Sequence, residues 1–503
     1  VSFRLALRVL QIGAVGVVLA VLPLQFFELD RFFVPKELVL HLTALLAGAL
    51  SFAPIRRLTF TRADLLLILY LLLAALSAAF ATNHYLGIRG LAISASSLVI
   101  FWSARALAAE GLARRVLNAI ALAVVVAGVT SLLQAYGVRI DVFAMNRSPG
   151  GTFGNRNFIG HAMAFGFPVL FLCGIRAVSR RAFLLACGGA AIVAAALVLT
   201  RSRAAYLACA AVAIVFAIAF VTSPELRACW RRVAAFAIAA AIGATAALFI
   251  PNTLHWRSRN PYLDSVRGVA AYEEGSGRGR LVQYQHSLLM AARHPLFGAG
   301  PGNWAVEYPR YAAGGDPSTD SNDAGMTTNP WPSSDWIAFL AERGLAATAL
   351  LAFALFLIVK RRDVDTVTRA ALVATIAAAI TAGMFDAVLL LAAPSLLVWA
   401  TIGAASPVIE PTGRTVPAIV AIIAIVIAIV IAAIGAFRSG SQLIAMSLYD
   451  SAPRRAAQID PGNYRLQLRL ARGGRERCEH ARAAHALFPE AREARALARG
   501  CGD

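Results

Sequence analysis

The chain has 503 residues, of which 59% are hydrophobic and 15% charged, and its mean hydropathy is +0.68. This composition excludes a soluble enzyme and indicates a polytopic membrane protein. The net charge of +20 is nearly all arginine, the only lysines being Lys36 and Lys360; because the charges sit in short loops between apolar runs, they report membrane orientation rather than a nucleic-acid surface.

Thirteen apolar runs follow one another at about 9–27, 34–53, 64–81, 87–104, 116–136, 157–175, 182–199, 204–222, 233–250, 337–359, 370–386, 388–404 and 416–437. The first is too long for a signal-peptide core and no small-residue cleavage site follows it, so it reads as a retained helix. A span needs about 20 residues, which makes the short eleventh and twelfth runs a tight pair. Alternate loops are basic: Arg56, Arg57 and Arg62; Arg105, Arg114 and Arg115; Arg176, Arg180 and Arg181; Arg227, Arg231 and Arg232; Lys360, Arg361, Arg362 and Arg369. With Arg4 and Arg8 at the N-terminus, they share the cytoplasmic side, and the long 251–336 loop and the C-terminal tail fall outside. The expected fold is all-α: a transmembrane helical bundle of about 12–13 spans over 1–437, and a small helical tail over 438–503.

Four segments carry candidate chemistry. SPGGTFGNRNFIG (148–160) leads from an outer loop into the sixth run and presents Asn155, Arg156 and Asn157 at the membrane edge, although a glycine-rich helix cap explains it equally well. TRSRAAYLA (200–208) sets Arg201 and Arg203 in a short outer turn where arginine is out of place; with no carboxylate near in sequence, an anionic ligand is a reasonable partner, and snorkelling is the alternative. The third is GRLVQYQHSLLMAARHPLFGAGPGNW (279–304), within a loop that, with its edge, holds four of the seven tryptophans. Leu281, Tyr284, Leu288, Leu289 and Ala292 share a helical face there, with Arg280 in the first turn, and Asn303 and Trp304 follow a glycine turn that is no nucleotide P-loop. NPWPSSDWIAFLAERG (329–344) supplies Ser333, Asp335, Trp336 and Glu342 at the start of the tenth run. Ser333 or Ser334 suits an N-cap, and Asp335 suits the helix dipole. Asp386 is a rare acid at the end of the eleventh run, a functional candidate or simply a helix-end residue.

The tail is polar and alanine-rich. AAQIDPGNYRLQLRLA (456–471) is similar to a tetratricopeptide turn, and helices are expected near 463–472, 476–487 and 490–499, as a solvated hairpin or a docking surface for a protein partner. Cys173, Cys187, Cys209 and Cys229 read as buried hydrophobes. Cys478 and Cys501 are expected to form a disulfide if the tail helices pack antiparallel in an oxidising compartment.

GTFGNRNFIG, TRSRAAYLA, HPLFGAGPGNW and SDWIAFLAERG, in this order and with the long loop between the ninth and tenth spans, resemble the O-antigen ligase and polymerase superfamily, which includes protein O-oligosaccharyltransferases. The resemblance covers roughly residues 36–405. It implies a membrane glycosyltransferase fold in the bacterial inner membrane and transfer of a glycan from an undecaprenyl-diphosphate carrier at the periplasmic face. The acceptor would be a hydroxyl of lipid A core, polysaccharide or protein, with no cofactor or metal. Arg203 and Arg280 would then clamp the diphosphate, with Arg201, Asn155, Arg156, Asn157, Asn303, Trp304, Trp336, Ser333 and Asp386 lining the site. One departure stands out. The family usually places a histidine two residues before the aspartate of the SDW-like segment, and that position is Ser333. Either Asp335 or Glu342 acts as the base, or His286 or His294 reaches in, or the chain performs a different reaction or none. A lipid-glycan flippase and a catalytically silent scaffold of a polysaccharide-assembly complex are the alternatives to a transferase.

Overall fold

The computed structural model describes residues 2–23, 30–52, 60–256, 258, 260–268, 275–320, 324–361, 364–408, 418–473 and 476–502. It is 75% helical, with no strand among the described residues. The helices α1 (Ser2–Leu19), α2 (Val34–Phe52), α3 (Arg62–Ala79), α4 (His84–Ala109) and α5 (Ala113–Ala135) precede α6 (Arg156–Ile175), α7 (Arg180–Thr200), α8 (Arg203–Thr222), the short α9 (Pro224–Ala228) and α10 (Trp230–Phe249). The long loop adds α11 (Pro261–Arg267), α12 (Gly275–Arg293) and α13 (Trp304–Glu307). The bundle closes with α14 (Asp335–Lys360), α15 (Thr366–Gly383), α16 (Ala392–Ala404) and α17 (Ala418–Ser447), and the tail holds α18 (Pro453–Ile459), α19 (Tyr464–Ala471), α20 (Arg477–Leu487) and α21 (Arg492–Arg499). Among the described residues, twelve helices are long and apolar enough to cross a membrane. The chain is a multi-pass membrane protein.

The helix starts follow from sequence. Asn83, Asn155, Ser179, Ser202, Ser334 and Asp365 each accept a backbone N–H two or three residues on, satisfying donors that a helix N-terminus leaves unpaired. Two expectations shift. α1 occupies 2–19 rather than 9–27, so Arg4 and Arg8 lie inside the helix, and Pro23 disfavours helix in the residue before it. Of the tight pair, α16 has only 13 residues, every one buried; packed against α4 inside the bundle, it needs no lipid-matched length.

Within the loop, α12 forms, but its buried face is not the leucine face. Leu281, Leu288 and Leu289 are about half exposed, while Gln283, Ser287, Met290 and Ala291 face inward. Polar bonds decide this: Gln283 Nε2 donates to Ser318 Oγ at 3.0 Å and its Oε1 accepts the Ser333 N–H at 2.6 Å, while Ser287 accepts the Trp304 indole N–H at 2.8 Å. The loop's other end is clamped to a break in α14. The Ala299 and Gly300 N–H groups donate to the Ala341 and Glu342 carbonyls, and the Leu345 N–H to the Pro295 carbonyl. Gly344 has φ 78° there, and a Cβ on it would lie 2.2 Å from the Leu296 carbonyl oxygen, so only glycine fits.

The tail packs on the loop-bearing end of the bundle. Asn83 Nδ2 donates to the Leu487 carbonyl, Arg310 pairs with Glu490 at 2.8 Å, and the Arg438 guanidinium lies over Tyr85 at 4.6 Å. Asn463 caps α19, and Cys478 and Cys501 are joined in a disulfide with Cα atoms 5.5 Å apart.

Candidate functional site

At the loop-bearing end, the start of α6, the α7–α8 turn, the start of α12, residues 328–333 and Asp386 enclose a cavity of about 590 Å3. Each wall has a local cause. Asn155 caps α6 through the Asn157 N–H at 3.0 Å, and its approach is tight because Gly154, at φ 70°, lies against Phe32 where a Cβ would meet the ring at 2.6 Å. Ser202 caps α8, and Arg201 before it is left-handed, φ 54°. A non-glycine residue holds that conformation at a cost of about 1 kcal/mol, so its surroundings must fix it. They do: Arg201 Nε donates to Ser265 Oγ at 2.8 Å, and its guanidinium lies 4.6 Å from the Trp256 ring, which Arg156 also approaches at 5.1 Å. Arg203 Nη1 donates to the Gly268 carbonyl.

The charge of this cavity is one-sided. Among the described residues, Arg147, Arg156, Arg201, Arg203 and Arg280 line it against one carboxylate, Asp386. Phe33, Phe158 and Trp331 supply an apolar wall, with Trp331 4.8 Å from the Phe33 centroid and 6.3 Å from that of Phe158. Guanidinium groups in such a concave, partly apolar site are suited to phosphate, which they bind through paired N–H donors.

Of the residues singled out in sequence, Asn155, Arg156, Asn157, Arg201, Arg203, Arg280, Ser333 and Asp386 line the cavity. The others do not, and their bonds explain why. Asp335 is fully buried and its two oxygens accept the Val388 and Leu389 N–H groups at 2.9 and 2.8 Å, so it ties α14 to the segment before α16 and does not line the cavity. Glu342 is buried beside Arg343 at 3.4 Å and accepts the Trp304 N–H at 3.3 Å, inside the loop clamp. Asn303 exchanges hydrogen bonds with the Asn83 backbone, and Trp304 is fully buried on Ser287. Trp336 donates its indole N–H to the Ile380 carbonyl at 3.1 Å.

His286 and His294 are also engaged elsewhere. His294 Nε2 lies 3.2 Å from the Tyr311 hydroxyl, and His286 Nδ1 lies 2.7 Å from Asp316. Burial alone would raise the Asp316 carboxyl, but bonds from the Ser318 N–H, the Tyr308 hydroxyl and His286 hold it below the usual range. Burial and the Asp316 bond push the Tyr308 phenol up. Sequence reasoning passed over Arg147, left-handed at φ 63°, and His161, one helical turn beyond Asn157. The i, i+4 spacing from Asn157 was the available signal for His161.

Residues 188–352 match the family model described as O-antigen ligase. No curated protein matches the chain. The matched stretch runs from within α7 to within α14 and so takes in Arg201, Arg203, Arg280 and Ser333 together with the clamped loop. The match covers part of the chain and, together with the all-helical membrane bundle, supports the O-antigen ligase superfamily, whose proteins are glycan ligases and polymerases.

Proposed function

We propose that the chain transfers a glycan from an undecaprenyl-diphosphate carrier to an acceptor hydroxyl at the periplasmic face of the bacterial inner membrane. The observation that supports this reading best is the convergence of five arginines on one cavity at the loop-bearing end of the bundle. The basic loops at the opposite end favour a cytoplasmic location for that end, and hence a periplasmic one for the cavity. Two phosphates of a lipid-linked donor lie at the membrane boundary, where Arg201, Arg203 and Arg280 neutralise them. As the bond from the anomeric carbon to the phosphate oxygen lengthens, charge grows on the diphosphate, and prepositioned guanidinium groups stabilise that charge more than they stabilise the bound donor. The aromatic wall of Phe33, Phe158 and Trp331 suits a sugar face or the first isoprene units. Asp386, the one cavity carboxylate among the described residues, would take the acceptor's proton, the role a carboxylate plays at sugar centres that react with a hydroxyl or water.

Transfer from a defined undecaprenyl-diphosphate oligosaccharide by the chain in nanodiscs tests the reading. Arg203→Ala and Arg280→Ala are expected to lower kcat/KM at least 10-fold, about 1.4 kcal/mol each, whereas Arg180→Ala, exposed at the opposite end of α7, leaves it unchanged. Equal effects from all three remove the diphosphate site. Ser333, where the family usually places a histidine, favours a second reading, a scaffold that binds the carrier without turnover. Carrier binding by a wild-type chain that transfers to no acceptor is the result that selects it.

A further inference from the structure

His161 is fully buried on α6, and neither ring nitrogen has a hydrogen-bond partner among the described residues. Leaving buried polar atoms unpaired destabilises a fold, so one imidazole with two such atoms requires an explanation. Its place supplies one. Asn157, one turn nearer the helix start, lines the cavity, and the charged groups whose fields reach His161 are Asp386 and Arg280, which line the same cavity. Gly160 sets α6 hard against the α7–α8 turn, where a Cβ would meet Ser202 and Thr200 at 3.0 Å. The fully buried imidazole lies on the helix face that continues from the cavity-lining Asn157 one turn before it.

We infer that His161 is the positioning residue of Asp386: with substrates bound, a ring N–H of His161 donates to the Asp386 carboxylate, and this pair replaces the histidine missing at position 333 as the proton-accepting unit. The inference rests on the transfer reading above. Asp386 Oδ1 accepts the Ala387 N–H at 2.9 Å, which fixes one oxygen; the other meets the acceptor and the imidazole. The acceptor O–H bond breaks and its proton passes to Asp386. The oxygen pair bonds the anomeric carbon, the anomeric carbon–oxygen bond to phosphate breaks, and that electron pair leaves on the diphosphate beside the arginines. The proton departs to water with the product.

The charged groups around this pair divide between the two ends of the helices. Among the helices packed on α6, α5 carries Arg114 and Arg115, α7 Arg180 and Arg181, α10 Arg231 and Arg232, and α15 Arg369, all at the ends remote from His161; α16 carries no charge. On the near side stand Arg156 on α6 itself, Arg203 and Tyr206 at the start of α8, the latter donating its hydroxyl to the Val198 carbonyl at 2.8 Å, and Arg201 after α7. Two acids stand near the pair: Asp386 itself and, on α14, the buried Asp335, which accepts the Val388 and Leu389 N–H groups just past Asp386.

Two substitutions test the assignment in the nanodisc transfer assay. His161→Phe replaces the orphaned nitrogens with carbon and is expected to unfold no earlier than wild type, yet its kcat falls on the order of 100-fold with donor KM within about twofold. His161→Gln keeps a donor of similar length and retains more activity than Phe. The acidic limb of kcat against pH moves to higher pH in His161→Phe and less in His161→Gln, and His161→Phe adds no further loss in an Asp386→Asn background. An unchanged pH profile, or losses that multiply in the double variant, overturns the positioning role while wild-type turnover stands. A wild-type chain that transfers nothing overturns the transfer reading instead, and this inference with it.

Discussion

Arg201→Gly separates what the cavity does for folding from what it does for binding. Arg201 sits at φ 54°, and glycine there releases about 1 kcal/mol of left-handed strain. Against this, the variant loses the stacking of a partly exposed guanidinium on Trp256 at 4.6 Å, worth about 0.5–1 kcal/mol. It also loses the Ser265 hydrogen bond, but Ser265 Oγ still donates to the Pro261 carbonyl at 2.8 Å and is not orphaned. These effects nearly cancel, so thermal stability is expected to stay within about 1 kcal/mol of wild type. Arg201→Ala loses the same contacts and keeps the strain, so it falls about 1 kcal/mol below the glycine variant. Binding behaves differently. A charge-assisted hydrogen bond to phosphate contributes about 1.5–3 kcal/mol, so both variants should weaken undecaprenyl diphosphate binding roughly 10- to 150-fold. Thermal unfolding with carrier titration in nanodiscs measures both quantities. Wild-type carrier affinity in a folded Arg201→Gly protein refutes the placement of the diphosphate at this turn.

Three further outcomes follow from the scaffold. Gly344→Ala drives a Cβ to 2.2 Å from the Leu296 carbonyl oxygen and forces alanine to φ 78°, and should destabilise by about 3 kcal/mol or more, read by thermal unfolding, with transfer lost alongside. Reduction of the Cys478–Cys501 disulfide, 23 residues apart, should loosen the tail by roughly 3 kcal/mol, and a mass shift on alkylation after reduction identifies the bond. The Asp316 carboxyl lies below its ordinary value of 3.8, so its stabilisation is present above that value and lost as pH falls through the depressed folded one. Asp316→Asn is therefore expected to lower Tm at neutral pH and to remove this contribution to the loss of Tm in acid.

The bundle was legible because a span needs about 20 apolar residues and few other structures do. Arg201 and Arg203 were legible for the opposite reason, as charges in a turn where topology does not put them. What sequence could not separate is a carboxylate that faces a cavity from one that faces backbone. Asp335, Glu342 and Asp386 all stand near helix ends, and only packing shows that Val388 and Leu389 consume the first, that Trp304 and Arg343 hold the second, and that the third lines the site. Helical spacing likewise groups the α12 leucines on one face without saying which face is buried; Gln283, Ser287 and Ser333 build the polar seam that decides it.

That seam bears on how the site works. Arg280 comes from a loop helix, yet α12 is held at several points along its length. Gln283 holds the Ser333 N–H, the Tyr284 hydroxyl reaches the Ser333 and Met384 carbonyls at 2.7 and 2.8 Å, and the glycine clamp fixes the chain after Arg293 to the break in α14. Asp386 lies two residues past Met384, so the element that carries Arg280 is bonded to the segment that carries the carboxylate. A guanidinium and a base held in one frame need little reorganisation when charge moves from the acceptor oxygen to the leaving diphosphate, which is the condition under which fixed charges contribute most to rate. Tyr284→Phe should therefore lower kcat more than it lowers carrier affinity, because it frees the joint between the two groups while leaving both side chains in place. The opposite pattern, affinity lost and kcat kept, would assign the seam to donor capture alone.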